Sequence, residues 1–195
     1  MALIFATSNR HKFEEARAIA AKHGVKLEMC DVQCDEIQAD DLEDIASFSA
    51  KEACRILGKT CFVEDAGLFV RALRGFPGPY SNYVFRTIGN EGLLKLMASV
   101  KDRRAEFRSA VGYCEPGAEP IVFSGMSSGS ITAKARGHHG FGFDPVFVSR
   151  RGDGRTFAEM PTEEKNAYSH RAKAIENFIS SREKTLSTGV ISLTD

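Results

Sequence analysis

Apolar residues follow two alternating rhythms along this chain. Ala2-Leu-Ile-Phe-Ala6 is a short apolar run suited to a buried strand, and Thr7-Ser-Asn9 follows it with residues that cap helices. From Arg10 to Lys22, Phe13, Ala16, Ala20 and Ala21 give a helix an apolar side, and Gly24 stands where a helix C-terminal glycine belongs. Val25 to Met29 returns to a strand. Strand, helix, strand opens an α/β fold.

A second helix is expected from Asp40 or Asp41, with Leu42, Ile45, Ala46, Ala53, Ile56 and Leu57 on its apolar side. Thr60 to Val63 reads as a buried strand that stops at Glu64-Asp65-Ala66-Gly67, after which Leu68 to Leu73 is extended again. Gly75-Phe-Pro-Gly-Pro79 continues neither element. A helix is expected over Asn90 to Val100. Ala105, Phe107, Ser109, Val111 and Tyr113 then alternate with a second set of positions, a strand with two different faces. Glu115-Pro-Gly117 turns this strand back into Ile121 to Ile131, a long antiparallel hairpin. Pro145 to Val148 is a short strand, and Thr162 to Ser181 a closing helix. With no repeat and no linker, one two-lobed domain over residues 1–182 and a tail at 183–195 without clear periodicity are expected.

Composition narrows the classes. The 26 basic and 26 acidic residues cancel, so no bulk positive field is present to hold a nucleic-acid backbone or an anionic membrane. Any anionic ligand must be held by locally arranged groups. No apolar run reaches the roughly 18 residues of a membrane span, and Ala2–Ala6 is too short for the apolar part of a signal peptide, so the chain reads as cytoplasmic. The five cysteines are odd in number and scattered, with no C-x-x-C spacing, which fits free thiols better than disulfides or a zinc site.

Candidate chemistry lies in short segments. Ala53 to Thr60 imitates a phosphate-binding P-loop, but it closes a helix and opens a strand, the reverse of what such a loop needs. Thr7, Ser8, Asn9, Arg10, His11 and Lys12 form the better anion site, where a strand delivers hydroxyls, free amides and a basic first turn to one place. Read alone, the segment is also an ordinary cap. A cation in that turn opposes the helix dipole unless an anion lies between them. Glu64-Asp65 puts two carboxylates at a strand end, suited to a divalent cation on a nucleotide or simply to a polar terminus. In Gly140-Phe-Gly-Phe-Asp144-Pro145, two aromatics expected to be exposed could stack on a flat ring while the acid reads its edge. Lys165, His170 and Arg171 crowd the first half of the last helix, where Lys165 and Ser169 are i,i+4 neighbours.

Taken in order, T-S-N-R-H-K, V-E-D-A-G-L, G-F-P-G-P-Y-S, G-F-G-F-D-P-V-F and F-A-E-M-P-T-E-E-K-N-A-Y-S-H-R resemble the inosine triphosphate pyrophosphatase family from Ala2 to about Phe178. The resemblance implies hydrolysis of non-standard purine nucleoside triphosphates (ITP, dITP, XTP) to monophosphate and pyrophosphate. It also implies a two-lobed α/β fold with a long mixed sheet, a nucleotide cleft between the lobes, and a homodimer. By this resemblance Thr7 to Lys12 hold the triphosphate, Glu36 and Asp65 ligate magnesium, and Asp65 accepts the proton of the attacking water. Phe141 stacks on the base beside Gly142, Phe143 and Asp144, while Lys165, His170 and Arg171 face the base. Ala66 stands where a Ser or Thr is usual, leaving only a backbone amide for phosphate, and Phe143 where a Tyr or Trp is usual. These departures leave a pyrophosphatase for other nucleotides open. A nucleotide-binding regulator is the alternative outside enzymes.

Overall fold

The computed structural model describes residues 2–35 and 37–188. A seven-stranded mixed sheet runs in the order β2-β1-β3-β5-β6-β7, with a short β4 paired to β3. β1 (Leu3–Ala6) lies parallel to both β2 (Leu27–Cys30) and β3 (Cys61–Val70). β3 then pairs antiparallel with β5 (Arg104–Cys114), which pairs with β6 (Ile121–Ile131), and β7 (Phe147–Ser149) closes that edge. The expected hairpin is present, in the register Tyr113 with Ile121 and Arg104 with Ser130.

Helices cover both faces. α1 (Arg10–Lys22) and α5 (His170–Thr188) bury Ala16, Ile19, Ala174, Ile175 and Phe178 against Phe5, Phe62 and Val111 of the sheet. α2 (Leu42–Leu57) packs Ala46, Ala50 and Ala53 on the opposite face, against Cys61, Val63 and Ala110. A third apolar cluster fills the other lobe, where Leu68, Val84, Leu93, Phe107, Phe147 and Phe157 meet. All five thiols are free. α2 ends with the amide of Gly58 on the carbonyl of Cys54 at 2.9 Å, so the P-loop imitation is a helix terminus.

Several expected boundaries move. β3 does not stop at Glu64: its pairing with β5 is continuous from Cys61 to Val70, because polar side chains do not interrupt a backbone ladder. Gly67 is needed for approach rather than for a turn. A Cβ there would lie 2.2 Å from the carbonyl oxygen of Gly78 in β4 (Pro77–Gly78). α3 begins at Ser81 and runs to Leu96, broken by the non-helical backbone of Gly89, so the expected start at Asn90 is its second half. Its first half, with Tyr83, Val84, Phe85, Thr87 and Ile88, is poor in strong helix formers and depends on packing.

The closing helix is two helices. α4 (Thr162–Asn166) ends before a turn, and Ser169 starts α5 by accepting the amide of Ala172 on its hydroxyl at 3.0 Å. Lys165 and Ser169 therefore do not share one helical face. α5 continues through residues 183–188, so the expected domain boundary falls inside it; residues 189–195 of the tail lie outside the described residues. Among the described residues no helix is long and apolar enough to cross a membrane.

Candidate active site

A cleft of about 1080 Å³ opens between the lobes. That size suits a ligand of nucleotide dimensions. Its walls include Thr7, Ser8, Asn9, His11 and Lys12 from the turn after β1, Glu64, Asp65 and Ala66 from β3, and Phe141 to Asp144. Lys165, His170 and Arg171 close the floor. These are the residues singled out in the sequence, with two differences. Arg10 is exposed on α1 and does not line the cleft. Glu36 lies outside the described residues. Pro79 to Tyr83, Phe85 and Arg86 also line the cleft; the first three belong to the G-F-P-G-P-Y-S motif, to which the sequence reading gave no role.

The turn after β1 is built as a cap. Asn9 accepts the amide of Lys12 on its side chain at 3.1 Å, and Thr7 accepts the amide of Asn9 at 3.1 Å. Ser8 and His11 are exposed. No acidic residue occupies the first turn of α1, which leaves the positive helix end uncompensated by its own sequence. The anion that Lys12 needs is supplied by β3. Its ammonium donates to the main-chain carbonyl of Glu64 at 2.8 Å and lies 3.0 Å from the Glu64 carboxylate.

Adjacent side chains on β3 go to opposite faces. Asp65 shares the α2 face with Val63 and Ala110. It is half-buried, and one of its oxygens accepts the amide of Ala66 at 2.8 Å. Glu64 turns to the α1 and α5 face with Phe62 and Val111.

There it belongs to a ladder of alternating charge, Lys12, Glu64, Arg171, Glu15, Lys165 and Asp144. Arg171 Nε lies 3.1 Å from Glu64 Oε1, and Arg171 Nη1 donates to Glu15 Oε2. Lys165 Nζ donates to Glu15 Oε1 and Asp144 Oδ2, each at 2.6 Å. Ser109 donates its hydroxyl to Glu64 Oε1 at 2.5 Å. Apart from Lys12, every side chain of the ladder is 5% exposed or less, so these ions stay charged only through one another.

The proton affinities follow from that arrangement. Burial pushes the Glu15 carboxyl upward, but Arg171 and Lys165 together hold it below its ordinary value. Glu64 is also raised by burial and then brought well below the carboxylate range by Arg171, Lys12 and the Ser109 hydroxyl. At the end of the ladder Asp144 is pushed up, by burial first and by nearby Glu15. Burial and the Arg171 charge keep His170 neutral, stacked on Phe107 with 4.6 Å between ring centroids.

Two expectations for the loop around Phe141 change. Phe143 is not exposed: it is 3% accessible and sets its ring edgewise against Phe85, 5.5 Å away. Its apolar ring fits that packed setting without a polar tip. Asp144 is 2% exposed and anchors Lys165 and the Phe141 amide, at 2.9 Å, so it supports the wall rather than reading a ring edge. Gly140 permits this contact, with φ +69° and a position where a Cβ would meet Asp144 Oδ2 at 2.1 Å. Phe141 is the half-buried ring at the cleft. His11 stacks on it at 5.3 Å, and Lys165 Nζ and Arg171 Cζ lie 5.1 and 5.3 Å from its centroid.

Glu15 and Ser109 went unremarked as site residues. The signals were a carboxylate four residues before Ile19 on the buried side of α1, and a hydroxyl within the apolar set of β5. Both interrupt an apolar face, which for Glu requires a buried partner.

A base-sized aromatic wall over fixed cations, joined to a helix N-terminus and a mid-strand carboxylate, defines a nucleotide-site α/β protein. The chain belongs to the Ham1 family, which it matches over residues 3–181. It is 51% identical over 178 residues to the dITP/XTP pyrophosphatase of Methanopyrus kandleri, covering 91% of this chain and 94% of that protein. It is 47% identical to the dITP/XTP pyrophosphatase of Thermococcus kodakarensis, covering 91% and 95% of the two chains. The Ham1 protein of Staphylococcus aureus superposes with a TM-score of 0.79 at 29% identity, covering 95% of this chain and all of that one, 100%. A HAM1 protein from Coxiella burnetii gives 0.80 at 26% identity, with 94% and 99% covered.

Proposed function

We propose that this protein hydrolyses non-standard purine nucleoside triphosphates, such as ITP, dITP and XTP, to the monophosphate and pyrophosphate. The observation that carries this reading is the buried ladder, which fixes Arg171 and Lys165 under Phe141. The names of the similar proteins support the same reaction.

A purine ring stacks on Phe141, displacing His11 from that face. Arg171 is a donor that cannot lose its proton, so it donates to the 6-keto oxygen of hypoxanthine or xanthine and meets an amino group in adenine. A donor left unmatched in such a site costs about 1–3 kcal/mol, more when charged, which disfavours ATP. Toward the phosphates, Lys12, Thr7, Ser8, Asn9 and the α1 amides provide donors.

The reaction needs an in-line water and charge neutralisation on the leaving pyrophosphate. Asp65, on the other face of β3, is the carboxylate that orients or deprotonates that water. Magnesium fits the donor chemistry here: such an ion takes one or two carboxylates with phosphate oxygens and water. Among the described residues no group of three or more His, Cys, Asp or Glu gathers; by the family resemblance Asp65, with Glu36 from the acidic segment, would hold the ion against the triphosphate. When bound, magnesium supplies charge neutralisation to the phosphates. Tyr80, Tyr83, Ile88 and Leu96 expose apolar surface on and before α3, which supports a homodimer.

The test is product identification. Purified protein with magnesium and ITP, dITP, XTP, GTP, ATP or a pyrimidine triphosphate is expected to release monophosphate and pyrophosphate from the first three. Orthophosphate in place of pyrophosphate would contradict the proposed bond cleavage, and tight binding without products would point to a regulator.

A further inference from the structure

Glu64 stands where the two halves of the cleft meet. Its side chain is wholly buried, 0% exposed, yet it faces a cation from each half. Oε1 receives the Ser109 hydroxyl at 2.5 Å and lies 3.1 Å from Arg171 Nε, an ion pair without a hydrogen bond. Oε2 lies 3.0 Å from the Lys12 ammonium but accepts no hydrogen bond. The hydrogen bond of Lys12 goes to the main-chain carbonyl of the same residue, at 2.8 Å. Lys12 is thus anchored by the backbone and only electrically held by the carboxylate.

We propose that Glu64 is a positioning residue that sets base selectivity against phosphate affinity: its carboxylate fixes Arg171 for the base while drawing the Lys12 charge away from phosphate. The inference rests on the reading of the cleft as a nucleotide site. The two ends respond to Glu64 with opposite signs. A negative charge 3.0 Å from Lys12 competes with any anion that approaches that ammonium. The same charge restrains Arg171, whose guanidinium is otherwise oriented by one carboxylate, Glu15, and the face of Phe141. Neutralising Glu64 therefore leaves Lys12 in place through the main-chain carbonyl, with its full charge offered to phosphate, and frees the Arg171 fork.

Glu64→Gln tests this, because it keeps the shape and removes the charge. Calorimetric titration with inorganic tripolyphosphate and magnesium is expected to show roughly three- to ten-fold tighter binding than wild type, and the kcat/KM ratio of ITP over ATP a fall of similar size. A residue that only packs would weaken both ends together or move neither. Weaker or unchanged tripolyphosphate binding, or an unchanged ITP to ATP ratio, overturns the proposal. Should Glu64→Gln fail to fold, Glu64→Asp retains the charge and withdraws it by one methylene from both cations. It is expected to move both quantities in the same directions by a smaller factor, and movement of both in the weakening direction overturns the proposal equally. Wild-type protein that releases no pyrophosphate from ITP would overturn the proposed function instead, while the tripolyphosphate titration still reads the Lys12 half.

Discussion

The two ends of the cleft are built on different principles. At the end proposed for the base, Arg171, Glu15, Lys165 and Asp144 are buried and paired, and Phe141 lies over the cations. At the end proposed for the phosphates, Ser8 and His11 are exposed, and Thr7 and Asn9 spend their side chains on capping. Recognition of a flat, uncharged ring needs donors whose direction is set beforehand, and buried ion pairs set direction at the cost of desolvation. A triphosphate carries its own charge, so amides and one partly exposed lysine suffice.

This contrast can be broken from either side. The largest effect on turnover is expected at Asp65. Asp65→Asn should fold normally and lose about 100-fold or more in kcat. Full activity in that variant, measured as pyrophosphate release from ITP, would assign the water-activating role to another carboxylate.

At the base end, Glu15→Ala should be the most damaging change to stability. It leaves Arg171 and Lys165 without a shared carboxylate, and breaking such a buried pair costs about 3–5 kcal/mol. Denaturant unfolding checks this; a change within about 0.5 kcal/mol, as for a surface site, would mean that the ladder holds nothing. Phe141→Ala should fold as wild type and raise KM for ITP about five-fold or more, since stacking contributes about 1–3 kcal/mol per base. An unchanged KM would remove Phe141 from the base wall.

The ladder also sets an acid limit. Glu15 and Glu64 have folded proton affinities below the ordinary value of 4.5, so their contribution is present above that pH and is lost as pH falls below it. Asp144 acts in the opposite sense. Its raised value means that protonation favours the folded state, so some stability returns as the pH falls through its folded pKa. Two lowered carboxyls against one raised predict a net loss below about pH 4.5, and Glu15→Gln should shrink that loss. Thermal unfolding from pH 7 to pH 3 reads it, and a flat profile would contradict the account. The smallest effect is expected from Ser8→Ala at the phosphate end, less than about ten-fold in KM.

How much of this was legible in the sequence depended on the kind of signal. Backbone rhythm carried β1, α1 and β5, where apolar residues recur at regular spacing, and the Glu115-Pro-Gly117 turn carried the β5–β6 hairpin. It misled at β3, where Glu64-Asp65-Ala66-Gly67 breaks the apolar run but not the pairing. It misled again at Ser169, since a helix interior and a helix cap use the same residue types there. The motif residues proposed for base and phosphates line one cleft, with Arg10 left outside it. They did not reveal that Glu15 joins Lys165 to Arg171, because the partners lie about 150 positions apart: 150 and 156 residues along the chain. Only a polar residue on an apolar face hints at such a contact.

The central claim is that a preformed, ladder-held Arg171 selects keto purines. Its most direct test is the kcat/KM ratio of ITP over ATP in wild type and in Arg171→Lys, which keeps a charge between Glu15 and Glu64 but loses the planar fork. The ratio is predicted to fall about ten-fold or more, mainly through loss of ITP turnover. An unchanged ratio, with both substrates slowed equally, would contradict it.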